Sequence, residues 1–223
     1  IELGLLAAAQ GDTELALRSF ERALALGTGT ARVFAARGRV LIEQGRLTDG
    51  FADLDAALAL RPDDVATLLV RGRIYADQGS YDAALADFSR AVELAPNNVG
   101  VLLSRARIYS LVDDHARALA DIDKLLGLHP ANSEAHVLQA RIFIKQRRTA
   151  EALDALTTAL AMQPDDAALY RLRASILKEL GDYEGAAADL ERARILEPGN
   201  ADVALQQAAL LESQGKLEEA LQI

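Results

Sequence analysis

Cysteine and tryptophan are absent from the 223 residues. The first absence removes disulfides, thiolate metal sites and cysteine nucleophiles together, and leaves reducing and oxidising compartments equally compatible. Aromatic residues make up only 4% of a chain that is 51% hydrophobic, so alanine and leucine must fill whatever core forms. No apolar run approaches the ~18 residues needed to span a bilayer. Strand-forming runs are missing as well, which leaves an all-α chain. Positive charge is in deficit: 24 Lys and Arg stand against 33 Asp and Glu, a formal net charge of −9. That balance argues against a surface built mainly to follow nucleic-acid phosphates. No signal segment is visible, but Ile1 already lies inside a helical pattern. The expectation is therefore a piece of a longer array, with cytoplasm and periplasm both open.

What is present is one stretch repeated. Val65 to Asn98 reads as two helices and a stop, with Leu68, Gly72 and Tyr75 on one face of the first and Ala84, Phe88 and Ala91 on one face of the second. Gly79 separates them and Pro96 ends the pair. Shifting the window by 34 residues reproduces this punctuation without insertion or deletion. Gly72 becomes Gly4, Gly38, Ala106, Ala140, Ala174 and Ala208; Pro96 becomes Pro62, Pro130, Pro164 and Pro198. A helix–turn–helix unit of this length, with a small residue, an aromatic, an alanine and a proline at these offsets, resembles the tetratricopeptide repeat. The resemblance covers the whole chain. It implies an all-α, right-handed α-α superhelix of about six and a half repeats, with an inner, concave surface lined mainly by first helices.

With Val65 as repeat position 1, the units run 1–30 (partial), 31–64, 65–98, 99–132, 133–166, 167–200 and 201–223 (partial). Thr30, Asp64, Asn98, Asn132, Asp166 and Asn200 close successive units, and each is a good N-cap for the following helix. Gly11, Gly45, Gly79, Gly181 and Gly215 separate the two helices of a unit, where a left-handed residue ends a helix at least cost. Asp113 and Arg147 replace two of these glycines, so strained or differently capped turns are expected there. Gly50 stands where other repeats have alanine and should weaken its helix by up to about 1 kcal/mol. The apolar faces at the two ends, Leu3 with Leu6 and Leu217 with Leu221, lack polar caps and raise the expectation of end-to-end self-association.

At about 100° per residue, positions 4, 8 and 11 of each first helix form the expected core stripe, with positions 20, 24 and 27 of each second helix. Position 7 carries Arg37, Arg71, Arg105 and Arg173; position 23 carries Asp53, Asp87, Asp121 and Asp189. Repeats without the arginine lack the aspartate also, which points to an ion pair inside each repeat. These arginines are therefore structural.

Position 9 lies nearly opposite the expected stripe and repeats as Arg39, Arg73, Arg107 and Arg141. Glu43 and Asp77 follow the first two at i+4, close enough to neutralise them. Farther on, Lys145, Arg171 and Lys178 join the same side. Position 5 supplies an apolar neighbour in Leu69, Leu103 and Val137. A row of guanidinium groups beside an apolar floor suits a partner peptide or helix bearing aliphatic and acidic side chains. The competing reading is a merely solvated helix face. Two groove chemistries of the family are missing: the carboxylate clamp would need lysine at position 5 with asparagine at position 9, and the asparagine ladder would stand at position 6.

Catalysis has little support. His115, His129 and His136 have no ligand-spaced second histidine, and no phosphate loop or nucleophile motif occurs. The expectation is a non-catalytic protein-interaction scaffold without metal or cofactor, binding neither nucleic acid nor membrane. The alternative is a recruiting or regulatory arm of a larger enzyme or of a secretion or envelope-assembly machine. Alanine-, arginine- and aspartate-rich usage hints at a bacterial source.

Overall fold

The computed structural model describes residues 1–223. They form fourteen helices and no strand, arranged as two compact halves, residues 1–113 and 114–223. The first half contains α1 (Glu2–Ala9), α2 (Thr13–Ala25), α3 (Ala31–Glu43), α4 (Leu47–Leu60), α5 (Val65–Asp77), α6 (Tyr81–Leu94) and α7 (Val99–Leu111). The second contains α8 (His115–Leu128), α9 (Ser133–Lys145), α10 (Thr149–Met162), α11 (Ala167–Glu179), α12 (Tyr183–Leu196), α13 (Ala201–Ser213) and α14 (Leu217–Ala220). Within each half, consecutive helices pack on one another, and α5 also touches α7 as α11 touches α13.

The helix starts follow the expected residues. Thr30, Asn98, Asn132, Asp166 and Asn200 each accept a backbone N–H of the next helix's first turn. Asp64 is the exception: its carboxylate accepts the Thr67 hydroxyl at 2.8 Å and makes no bond to a backbone N–H of α5. Between the helices of a repeat, Gly11, Gly45, Gly79, Gly181 and Gly215 have φ of 73° to 80°. Asp113 and Arg147 hold the same left-handed conformation, each at φ 58°. Those turns keep the glycine geometry and bear its steric cost.

Second-helix positions 20, 24 and 27 are buried in all repeats but the last, partial one, as in Ala84, Phe88 and Ala91. On the first helices the buried arc is wider than the expected stripe. Positions 3 and 10 are buried too, among them Val33, Val101 and Leu169 at one and Val40, Ile108 and Ile142 at the other. A first helix packs against its own repeat's second helix and also against the preceding one, so two faces leave water. Adding positions 3 and 10 moves the centre of the arc so that position 9 lies opposite it.

Gly50 corrects the expectation of a weakened helix. A Cβ there would lie 2.8 Å from the Gly38 carbonyl oxygen and collide with Ile42, while one on Gly38 would lie 2.8 Å from the Gly50 oxygen. The glycine pair lets α3 and α4 approach backbone to backbone, a gain that opposes its propensity cost.

The matched charges do pair inside repeats. Arg37 donates through Nε and Nη2 to Asp53 at 2.6 and 2.8 Å, Arg71 to Asp87 at 2.8 and 2.6 Å, and Arg173 to Asp189 at 2.7 and 2.7 Å. The three aspartates are buried. These two-pronged bonds to a carboxylate raise the pKa of all three arginines above the ordinary value, against the opposing effect of burial. A further link was not foreseen. The remaining Nη1 reaches back to position 25 of the preceding repeat: Arg71 to Asp55 at 2.6 Å, Arg105 to Ser89 at 3.4 Å and Arg173 to Thr157 at 3.3 Å. Gln139, which replaces the arginine, makes the same reach to Asp123 at 3.2 Å. Each such residue thus ties its helix to the second helix of the repeat before.

Candidate peptide-binding face

Arg39, Arg73 and Arg107 stand on α3, α5 and α7 of the first half, and Arg141 on α9 of the second. All four are exposed, as a position opposite the centre of the buried arc must be. The i+4 acids do not neutralise the first two. Neither Arg39 nor Arg73 takes part in an ion pair, and Glu43 and Asp77 are exposed. Long exposed side chains gain too little from such a contact to be fixed by it. Arg141 is likewise exposed without an ion pair.

The other residues expected at the site divide. Leu69 is half-buried against two core clusters, and Val137 packs on the core of the second half. Leu103 is only 8% exposed, so it belongs to the interior and offers little contact area. Lys145 is exposed and has an interaction of its own, and the Nη1 of Arg171 donates to Asp202 at 2.9 Å, its side chain 21% exposed. Lys178 is half-buried beside a cavity of about 60 Å³ shared with Ser175 and Gln206. Of the positive row expected in the second half, Arg141 is the exposed cation without an ion pair.

The first half holds a cleft that periodicity did not reveal. It measures about 260 Å³, with Leu5, Ala36 and Val70 among its apolar lining and Arg32, Arg39 and Arg61 among its cations. Arg39 comes from the position-9 series, whereas Arg61 sits in the turn after α4. The available signal was its isolation: the equivalent residues are Gly27, Ala95, His129, Gln163 and Glu197. No set of three or more His, Asp or Glu side chains converges closely enough to ligate a metal ion. The His136 ring fills its packing slot and contacts the Pro130 carbonyl at 3.0 Å. No helix is long and apolar enough to cross a membrane.

Sequence profiles of the tetratricopeptide repeat match residues 1–64, 35–99 and 103–167, and a second profile of the same description matches 138–214. The chain belongs to the tetratricopeptide repeat family. No sequence match is found among functionally curated proteins. A tetratricopeptide repeat protein from Parabacteroides merdae is 21% identical in sequence and superposes with a TM-score of 0.78, covering 99% of this chain and 87% of its own. PilF of Pseudomonas aeruginosa is 21% identical with a TM-score of 0.78, over 93% of this chain and 95% of its own. YrrB, described as a tetratricopeptide protein with an unusual peptide-binding site, is 17% identical with a TM-score of 0.70, over 86% and 99%. At these identities the likeness establishes the fold, an all-α tetratricopeptide solenoid. Members of this family act as protein-interaction scaffolds, and the exposed residues of this tetratricopeptide chain are where its own choice of partner must be encoded.

Proposed function

We propose that this tetratricopeptide protein is a non-catalytic scaffold that holds an acidic, aliphatic segment of a partner protein against the exposed faces of its first helices. The observation that carries the reading is the recurrence of Arg39, Arg73 and Arg141: one residue per repeat, exposed, without an internal ion pair, on a chain of net charge −9. Uncompensated guanidinium groups on an acidic molecule steer acidic segments to the first helices of each half and repel them from the rest. Half-buried Leu69 and Val137 supply apolar area beside the charge. The wider reading, a recruiting arm of a larger enzyme or envelope machine, uses the same face and differs in what is joined to the chain.

The test is a triple reversal, Arg39→Glu, Arg73→Glu and Arg141→Glu. Helix content by circular dichroism should be unchanged, since all three are exposed. Partners recovered by the intact protein and cross-linked to its first helices should be lost at least tenfold, and capture by the unaltered protein should fall as salt rises. Recovery of the same partner with unchanged affinity and salt dependence would overturn the reading.

A further inference from the structure

The cleft of the first half joins arginines to an apolar lining. It does not depend on the position-9 series as a whole. Of its three arginines, Arg39 and Arg61 make no ion pair, while Arg32 donates to Glu2 at 3.1 Å. That pair is loose, with the two side chains 63% and 79% exposed, and an exposed pair of this kind adds little stability. It does show what the cleft takes: a side-chain carboxylate of the chain itself already rests on one of its cations. The carboxylate on the lining, Asp64, accepts the Thr67 hydroxyl and pairs with neither Arg39 nor Arg61. Apolar surface from Leu5, Ala36 and Val70 lies in the same cleft as these charges.

We infer that this cleft binds an internal Asp or Glu side chain of an extended partner segment, held by Arg39 and Arg61, with a neighbouring Leu- or Val-sized side chain on the apolar lining. The inference rests on the scaffold reading above and adds the place and the chemistry of the contact. Guanidinium suits the task because its planar fork can grip a carboxylate by two parallel bonds, which a lysine cannot. The next free position-9 cation, Arg73, stands one first helix farther along. Packed helices lie about 8–10 Å apart, and an extended segment in the polyproline II conformation advances about 3.1 Å per residue and returns every third side chain to the same face. A second acid about three residues from the first therefore meets Arg73. The preferred segment is acid, two residues including an aliphatic one, then acid.

An array of seven-residue peptides in an alanine–leucine background decides the matter, with two Asp or Glu residues placed at every pairwise spacing. Matched Asn and Gln versions and a series bearing one free C-terminal carboxylate complete it. Labelled full-length protein should favour acids three apart, and conversion of the acids to amides should weaken binding at least tenfold. Arg39→Ala with Arg61→Ala should weaken it at least tenfold, whereas Arg90→Ala, at an exposed position of α6, should leave it unchanged. Glu2→Gln should tighten it two- to threefold by freeing Arg32, a gain that a purely structural role for these arginines would not produce. Equal binding of amide peptides, preference for the terminal carboxylate alone, or no binding by any member would each overturn the assignment. Loss on Arg73→Glu with Arg141→Glu, but not on Arg39→Ala with Arg61→Ala, would overturn the cleft while leaving the scaffold reading intact.

Discussion

Arg147 holds a left-handed backbone that costs an L-residue roughly 1–2 kcal/mol, in a turn where five other repeats place glycine. Arg147→Gly relieves that strain but loosens the unfolded chain, which takes back about 0.4–1 kcal/mol. The expected net gain is about 0.5 kcal/mol in a urea melt. Asp113→Gly should gain less, because the short polar side chain of aspartate tolerates this conformation better than arginine does. The Arg71–Asp87 pair is the opposite case, a residue contact that stabilises. Removing Asp87 leaves the guanidinium with only exposed Asp55, and Asp87→Ala should cost about 3 kcal/mol. A double-mutant cycle with Arg71→Ala should return a coupling of about 1–3 kcal/mol by denaturant melts. A coupling near zero would show that the two side chains act independently. Contacts at this scale were legible where a rule is local or recurrent. The cap residues and the 16-residue Arg–Asp spacing were plain because they repeat. The Arg171–Asp202 bond was not, since its 31-residue spacing follows no recurrent pattern.

At the scale of the helix, the core was half legible. A helical wheel finds one apolar face, and positions 4, 8 and 11 supplied it. Positions 3 and 10 were overlooked because a first helix is packed on two sides, so Val33 and Val40 lie on a second face that a single-stripe reading counts as flank. Leu103 at position 5 is interior as well, on the side of the helix away from positions 3 and 10, where the wheel gave no sign of burial. Gly50 was misread for a related reason. Its propensity cost is visible in sequence, but the approach of α3 and α4 that requires it is not. Gly50→Ala should therefore destabilise by about 1–3 kcal/mol, despite adding a better helix former, and a thermal melt reads the sign directly. Stabilisation would mean that the helices separate at little cost. Phe88, fully buried against Gly72, shows the other solution to the same packing problem: a glycine on the first helix and a large ring on the second.

At the scale of the whole chain, the family was legible from period alone, because each repeat must bury the same faces against neighbours built like itself. The partner-facing residues obey no such constraint. Arg61 and Arg32 met in a cleft through folding, and only Arg39 among the cleft cations belonged to a visible series. One consequence follows from the arginine network. Arg71 reaches 16 residues forward to Asp87 and 16 residues back to Asp55, two partners that lie 32 residues apart in a chain of 34-residue period. A gene duplication of one whole period keeps both 16-residue spacings in the new copy, whose backward partner is Ser89 where the duplicated stretch begins after Asp55. A single-codon insertion inside α4, α5 or α6 between Asp55 and Asp87 instead turns one partner by about 100° around its helix. The network thus acts as a reading-frame check on the helices: it lets the array lengthen or shorten by entire modules and penalises a change of length within a helix.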